Sequence, residues 1–184
     1  VIDVFIRSYT PDAVRKGLAD ACIARWQMEP DARVHVLESD TDELYATTTL
    51  RTFSERNATS DPYVFTDDDV MILGKDWLKI AENVLKEPFG VLSTLSIVEG
   101  ENSAKAPFDL PDRAAYEMHA VGAPSIIRKG IFTDLPPMTI GNECGTLHKI
   151  CLDKGYRMGL IKGLRHSHLG HGLTIYEPGL RWGV

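Results

Sequence analysis

Tyr63-Val64-Phe65-Thr66-Asp67-Asp68-Asp69 is the stretch that decides how the chain reads: a short apolar run that passes without a break into three carboxylates. An apolar run of that length suits a buried strand. The strand fixes the backbone, so alternate residues such as Asp67 and Asp69 are expected to project to one side. Like charges this close repel unless a cation or hydrogen bonds offset them. In open α/β sheets ligands gather at the carboxyl ends of strands, which is where the run falls. The other interpretation is a solvated acidic turn, or a helix start whose dipole favours carboxylates.

The order of elements around this stretch predicts a parallel α/β sheet. Val1 to Ser8 reads as a central strand, not as a secretion signal, and Thr10-Pro11-Asp12 opens a helix to about Gln27. In that helix Leu18, Cys22, Ile23 and Trp26 share one face. Arg33 to Leu37 follows as a second strand, giving the β-α-β order of a parallel sheet. A helix is expected over Asp42 to Ser54. An amphipathic helix follows over Lys75 to Lys86, with Trp77, Leu78, Ala81, Val84 and Leu85 on one side. Phe89 to Ile97 and Val121 to Arg128 read as strands, and Glu99 to Glu117 as a long loop suited to a lid. Asn142 caps a helix to Lys154 that Gly155 ends, and Tyr156 to Leu164 is the last strand. With no repeat, linker or low-complexity tract, residues 1–184 are expected to form a single domain.

Bulk composition narrows the function. The 20 Lys and Arg against 26 Asp and Glu give a net charge of −6, spread without blocks, which argues against a dedicated nucleic-acid surface. No apolar run approaches the ~20 residues of a membrane span. Three cysteines, Cys22, Cys144 and Cys151, show no Cys-x-x-Cys spacing and suit a reduced, cytoplasmic compartment. Cys144 and Cys151 are expected to be small buried apolar groups, not zinc ligands.

A second cluster matches the aspartates. His166, His168 and His171 fall within six positions, and on a strand His166 and His168 share a face. Imidazole and carboxylate together suit Mn²⁺, and aspartates suit hard divalent ions. One aspartate, one histidine, two diphosphate oxygens and water would complete an octahedral shell around Mn²⁺ or Mg²⁺. A packed or merely polar loop is the competing interpretation of the histidines.

Taken in order, these segments resemble a GT-A glycosyltransferase of the family 2-like kind. Ser8-Tyr9-Thr10 resembles the opening nucleotide-binding segment of such enzymes. Ser54-Glu55-Arg56-Asn57 through Asp69 resembles their stretch from an Arg-Asn pair to the Asp-x-Asp motif. Asn142-Glu143 through Leu147, Gly155-Tyr156-Arg157 and His168-Leu169-Gly170 resemble the later acidic helix, the Gly-Tyr-Arg strand start and the terminal metal histidine.

The resemblance implies a three-layer α/β/α domain with a mostly parallel central sheet. It also implies a metal-dependent transfer of a hexose from a nucleoside diphosphate sugar to a hydroxyl acceptor. UDP-glucose or a similar donor follows from family frequency only. Asp67 is implied near the ribose or metal, Asp69 and His168 as metal ligands with His166 as a further candidate, and Asp68 beside the nucleotide. Arg56 and Arg165 are diphosphate candidates, or surface cations. Glu38, at the end of the second strand, is a candidate partner for base or ribose, or a solvated strand end. Trp182 is a candidate for stacking on a sugar ring, or for packing on the core.

The chain departs from the family where Glu143-Cys144 replaces the usual Glu-Asp. Glu143 is therefore the candidate base, or a charge that complements a helix dipole, and a retaining transfer stays open. Two alternatives remain at this stage: a nucleotidyltransferase acting on a sugar phosphate, and a non-catalytic, metal-stabilised sugar- or nucleotide-binding domain. The absence of glycine from Arg7-Ser8-Tyr9-Thr10-Pro11 counts against the first.

Overall fold

Period-two alternation along the strands explains the layering seen in a computed structural model of the chain, which describes residues 1–39, 44–97, 115–118, 123–138 and 143–169. Val4, Ile6, Val64, Leu92, Ile126 and Ile161 point to one face of the sheet. Phe5, Tyr63, Phe65, Val91, Ile127 and Met158 point to the other.

Strand β1 (Ile2–Ser8), helix α1 (Ala13–Gln27), β2 (Ala32–Glu38), α2 (Leu44–Asn57) and β3 (Tyr63–Asp67) come first. They are followed by β4 (Val70–Leu73), α3 (Trp77–Val84), β5 (Phe89–Ile97) and β6 (Ala115–Met118). Then come β7 (Ser125–Ile127), α4 (Glu143–Asp153) and β8 (Arg157–His168). Trp26 of α1 and Trp77, Leu78 and Ala81 of α3 join the first apolar face. Leu50 of α2 and Leu147 and Cys151 of α4 join the second. Two helical layers therefore enclose one sheet, as expected for α/β/α packing.

The strands lie in the order β2-β1-β3-β7-β5-β8-β4, with β6 also on β8. Strands β1, β2, β3, β5 and β8 run one way, and β7, β4 and β6 run against them. The sheet is mostly parallel with one reversed strand, β7, in its interior. In the β5–β8 ladder Thr94 faces Ile161 while Leu95 faces Arg165, so Lys162 to Leu164 are extra residues on β8. A bulge of that kind bends its strand. Beyond it, the end of β8 leaves β6 and pairs with β4, Val70 facing His168.

Several boundaries differ from the sequence expectation. β4 was not foreseen, because four residues are too few to show a period. The last strand does not stop at Leu164 but runs through His168, since β4 supplies a partner for the polar residues. Ala115–Met118, expected within the long loop, forms β6 against β8. Of the strand expected over Val121 to Arg128, the described residues from 123 on form strand at Ser125–Ile127. Helix α2 runs on to Asn57, past Ser54. In α1 it is Ala19, with Cys22 and Trp26, that is buried, and Leu18 and Ile23 are half-buried. Gly155 does end α4, at a φ of +83° that glycine adopts at little cost.

Candidate active site

The carboxyl ends of β1 and β3 lie side by side, with Arg7 facing Asp67 in the parallel register. Asp67 Oδ1 accepts a hydrogen bond from Arg7 Nε at 2.8 Å. The strand ends there, and Asp68 and Asp69 form the turn into β4. Asp67 and Asp69 are therefore not successive same-side residues of one strand, as the sequence suggested. Each aspartate has its own partners.

Asp68 is 2 % exposed and fully engaged. Its Oδ2 accepts from the Ser8 hydroxyl and from the Tyr9 backbone N–H, each at 2.9 Å, and its Oδ1 accepts from Arg15 Nη2 at 2.9 Å. Burial raises the Asp68 carboxyl pKa, against the pull of Ser8, Arg15 and the Tyr9 N–H. Asp69 accepts from Arg15 Nη1 on Oδ2 at 3.2 Å. Its Oδ1 is buried, has no hydrogen-bond partner among the described residues, and lies 3.1 Å from His168 Nε2. Burial acts to raise the Asp69 carboxyl too, but His168 and Arg15 outweigh it and hold it at about 2. Burial lowers the His168 pKa, yet the contact with Asp69 and the charges of Asp69 and Asp67 raise it overall. Beneath the turn, burial and then the Asp69 and Asp68 charges push the Cys22 thiol up to about 12, so Cys22 is an inert apolar filler.

Residues a hundred positions apart meet here because β4 begins directly after the turn and pairs with the bent end of β8. Leu169 N–H donates to Asp69 O at 2.8 Å, closing that ladder. His166 lies on the same side of β8 as His168, with ring centroids 6.2 Å apart. It is buried, and its Nδ1 is 2.8 Å from Thr94 Oγ1, a contact that fixes the imidazole toward β5.

Beside the aspartate turn is a cavity of ≈ 350 Å³ lined by Ser8, Tyr9, Thr10, Pro11, Glu38 and Ser39. Ser8, Tyr9, Thr10 and Glu38 are among the residues the sequence singled out for the nucleotide; Arg56, Asp67 and Asp68 are not in the lining. Asp68 forms the link between cavity and acidic turn by holding Ser8 and Tyr9.

Arg56 is not part of this cluster. It is exposed in the last turn of α2, and Thr59, just beyond that helix, donates its N–H to Asp3 at the start of β1. That is the opposite edge of the sheet, about 17 Å from Ser8 along β1. The Arg-Asn pair instead ends a helix. The buried arginine of α2 is Arg51, whose guanidinium sits 4.4 Å over the Phe65 ring. Arg165 donates to Leu164 O. Glu143 is the first residue of α4, and its side chain lies outside the described set. Asn142, His171 and Trp182 lie outside the described residues altogether, as does most of the Glu99 to Glu117 segment.

Sequence reasoning missed Arg7 and Arg15. The available signal was charge balance: three adjacent carboxylates at a strand end call for cations, and these two arginines flank the end of β1.

The donor set fits a hard divalent ion. Asp69 Oδ1 is a buried acceptor without a hydrogen bond, and its 3.1 Å separation from His168 Nε2 is close to the ~3.0 Å edge of an octahedron with ~2.1 Å metal–ligand bonds. Among the described residues no group of three His, Cys, Asp or Glu side chains is placed to hold a metal. Asp69 and His168 are the residues that would hold such an ion.

Three-dimensional comparison gives the fold a name. TarS residues 1-349 from S. aureus superposes with a TM-score of 0.62 at 13% identity, over 92% of this chain and 60% of that one. A197 from STIV matches with a TM-score of 0.58 at 15% identity, over 91% of this chain and 84% of that one. GalNAc-T7, solved with UDP, GalNAc and Mn²⁺, matches with a TM-score of 0.57 at 15% identity, over 90% of this chain and 43% of that one. The same TarS fragment has been solved with UDP-GlcNAc. These neighbours are GT-A glycosyltransferases, and the chain has the GT-A fold. It spans less than two thirds of the TarS fragment and less than half of GalNAc-T7. Sequence comparison matches the chain to no protein-family model and to no curated protein.

Proposed function

We propose that this chain is a metal-dependent glycosyltransferase that moves a hexose from a nucleoside diphosphate sugar, UDP-glucose or a close relative, to a hydroxyl acceptor. One observation carries the proposal. A buried aspartate oxygen without a hydrogen bond faces His168 on the turn whose neighbouring aspartate builds the wall of the Ser8–Glu38 cavity. Fold likeness by itself would not support an activity.

In this proposal Ser8, Tyr9 and Thr10 receive the nucleoside, and Glu38, exposed at the end of β2, accepts hydrogen bonds from base or ribose. Asp68 keeps Ser8 and Tyr9 in place, Asp67 borders the ribose, and Asp69 and His168 hold Mn²⁺ or Mg²⁺, with His166 packed behind them. An ion held there would supply Lewis-acid stabilisation of the negative charge on the departing diphosphate. Glu143, at the start of α4, accepts the proton of the acceptor hydroxyl. Arg56 has no role in this scheme. Cys22 and Cys151 carry no disulfide, and among the described residues no helix is long and apolar enough to cross a membrane.

The test is incubation of the protein with UDP-glucose and Mn²⁺ and measurement of UDP release. Asp69→Ala is expected to lower that release by about 10²-fold or more, the weight of a lost Lewis-acid contact, with the circular dichroism spectrum unchanged. Turnover only of nucleoside triphosphates with pyrophosphate release would replace the proposal with nucleotidyl transfer.

A further inference from the structure

We infer that Arg15 sets the ion selectivity of this site: by occupying Asp69 Oδ2 it limits that carboxylate to one-oxygen coordination through Oδ1, favouring Mn²⁺ or Mg²⁺ over Ca²⁺. The inference rests on the assignment of Asp69 and His168 as the metal pair.

Arg15 lies in the first turn of α1, where its backbone N–H donates to the Asp12 cap at 2.9 Å. The helix is anchored by buried Ala19, Cys22 and Trp26. From this fixed base the guanidinium spans two carboxylates, with Nη2 on Asp68 Oδ1 and Nη1 on Asp69 Oδ2. Asp68 is pinned on its other oxygen by Ser8 and Tyr9, so the fork has one rigid foot and uses the other to orient Asp69. The two Asp69 oxygens are thereby made unequal: Oδ2 bonded, and Oδ1 buried without a hydrogen bond beside His168.

That inequality bears on ion choice. Ca²⁺ takes six to eight oxygens and readily uses both oxygens of a carboxylate, whereas Mg²⁺ demands octahedral geometry with fewer, shorter bonds. A carboxylate with one oxygen committed to a guanidinium offers the ion one oxygen, not two. Arginine is suited to this because its planar fork bonds two acceptors at once, which a lysine ammonium does not reproduce. Arg15 is a positioning residue here, acting on the ion through Asp69.

Calorimetric titration of the full chain with Mn²⁺ and with Ca²⁺, with and without saturating UDP, tests the inference on wild type, Arg15→Met and Arg15→Lys. Both variants remove the planar fork that ties Asp69 Oδ2 to Asp68, and only the first removes the charge. The ratio Kd(Ca²⁺)/Kd(Mn²⁺) is expected to fall about 10-fold in both, as a second carboxylate oxygen opens to the larger ion. If the role of Arg15 were only electrostatic, Arg15→Met would tighten both ions alike and Arg15→Lys neither. A ratio within about twofold of wild type in the folded variants therefore overturns the inference. A wild type that prefers Ca²⁺ overturns it as well. Should Arg15→Met not fold, Arg15→Lys decides. If wild type binds neither ion, the metal assignment falls first, a result distinct from an unmoved ratio.

Discussion

Asp3 is fully buried at the start of β1 and still ionised, because both of its oxygens have polar partners. Its Oδ2 accepts from the Thr59 N–H, the Thr59 hydroxyl and the Ser60 N–H, and its Oδ1 contacts His35 Nε2 at 2.8 Å. Burial would raise this carboxyl, but His35 and the Thr59 and Ser60 donors hold it well below the ordinary carboxylate range. A lowered folded-state value stabilises the protein above the unfolded value of 3.8, and that contribution is lost as pH falls further. Asp3→Asn is expected to cost about 2 kcal/mol at pH 7, with the gap shrinking steadily as the pH falls below about 4. Urea titrations at both ends of the range measure it, and a pH-independent gap would contradict the assignment. His168 works in the opposite sense. Its raised pKa means an incoming ion must displace a proton, so Mn²⁺ affinity is expected to rise with pH until the imidazole is neutral. Titrations between pH 6 and 8 check the slope. At this scale the acidic run and His168 were legible because each is a dense local cluster. Arg15 was not, since its meaning depends on where α1 places it, and Arg56 misled because an Arg-Asn pair reads alike at a site and at a helix end.

Among the elements, β8 matters most, and its extra residues Lys162 to Leu164 are what bring its end to the aspartate turn. Deleting Gly163 shifts everything downstream by one position, which turns His166 and His168 to the other face of the strand. Loss of Mn²⁺ binding with retained sheet structure is the expected result, read by calorimetry and circular dichroism. Unchanged binding would mean the bulge does not set the site. Strand β5 carries a tighter constraint at Gly90, where an added Cβ would lie 2.7 Å from Tyr156 Cβ and press on Ile131. Gly90→Ala is expected to cost about 1–3 kcal/mol by overpacking, visible as a lowered urea midpoint with unchanged slope. The amphipathic α3 and the nine-residue β5 were readable from their pattern. Strands β4 and β6 were not, because four residues carry too little pattern and exist only through their pairing with β8.

Across the whole molecule, two apolar layers clamp one sheet, and the cavity and the aspartate turn both sit at the edge where β1, β2 and β3 end. A donor bound there stabilises the folded state by RT ln(1 + [L]/Kd), about 2.7 kcal/mol at a hundredfold excess over Kd. For a chain of this size that corresponds to roughly 5–10 °C in Tm. UDP with Mn²⁺ is expected to produce such a shift in a thermal melt, and a guanosine or adenosine diphosphate that did so equally would argue against a uridine-selective pocket. The α/β/α architecture was legible because the β-α-β order and strand-end acids are properties of the chain's beginning. The reversed strand β7, three residues long, was visible only as apolar content without direction.

Asp68 is claimed from both sides: the hydroxyl and amide that wall the cavity hold one oxygen, and the guanidinium that steers Asp69 holds the other. Nothing entering the cavity can move Ser8 or Tyr9 without tugging the same carboxylate that anchors Arg15. Thermodynamic reciprocity then requires that whatever factor a nucleotide lends to ion affinity, the ion returns to the nucleotide. On the proposed function, one buried side chain would link the two occupants, and each would be expected to tighten or loosen the other by the same factor.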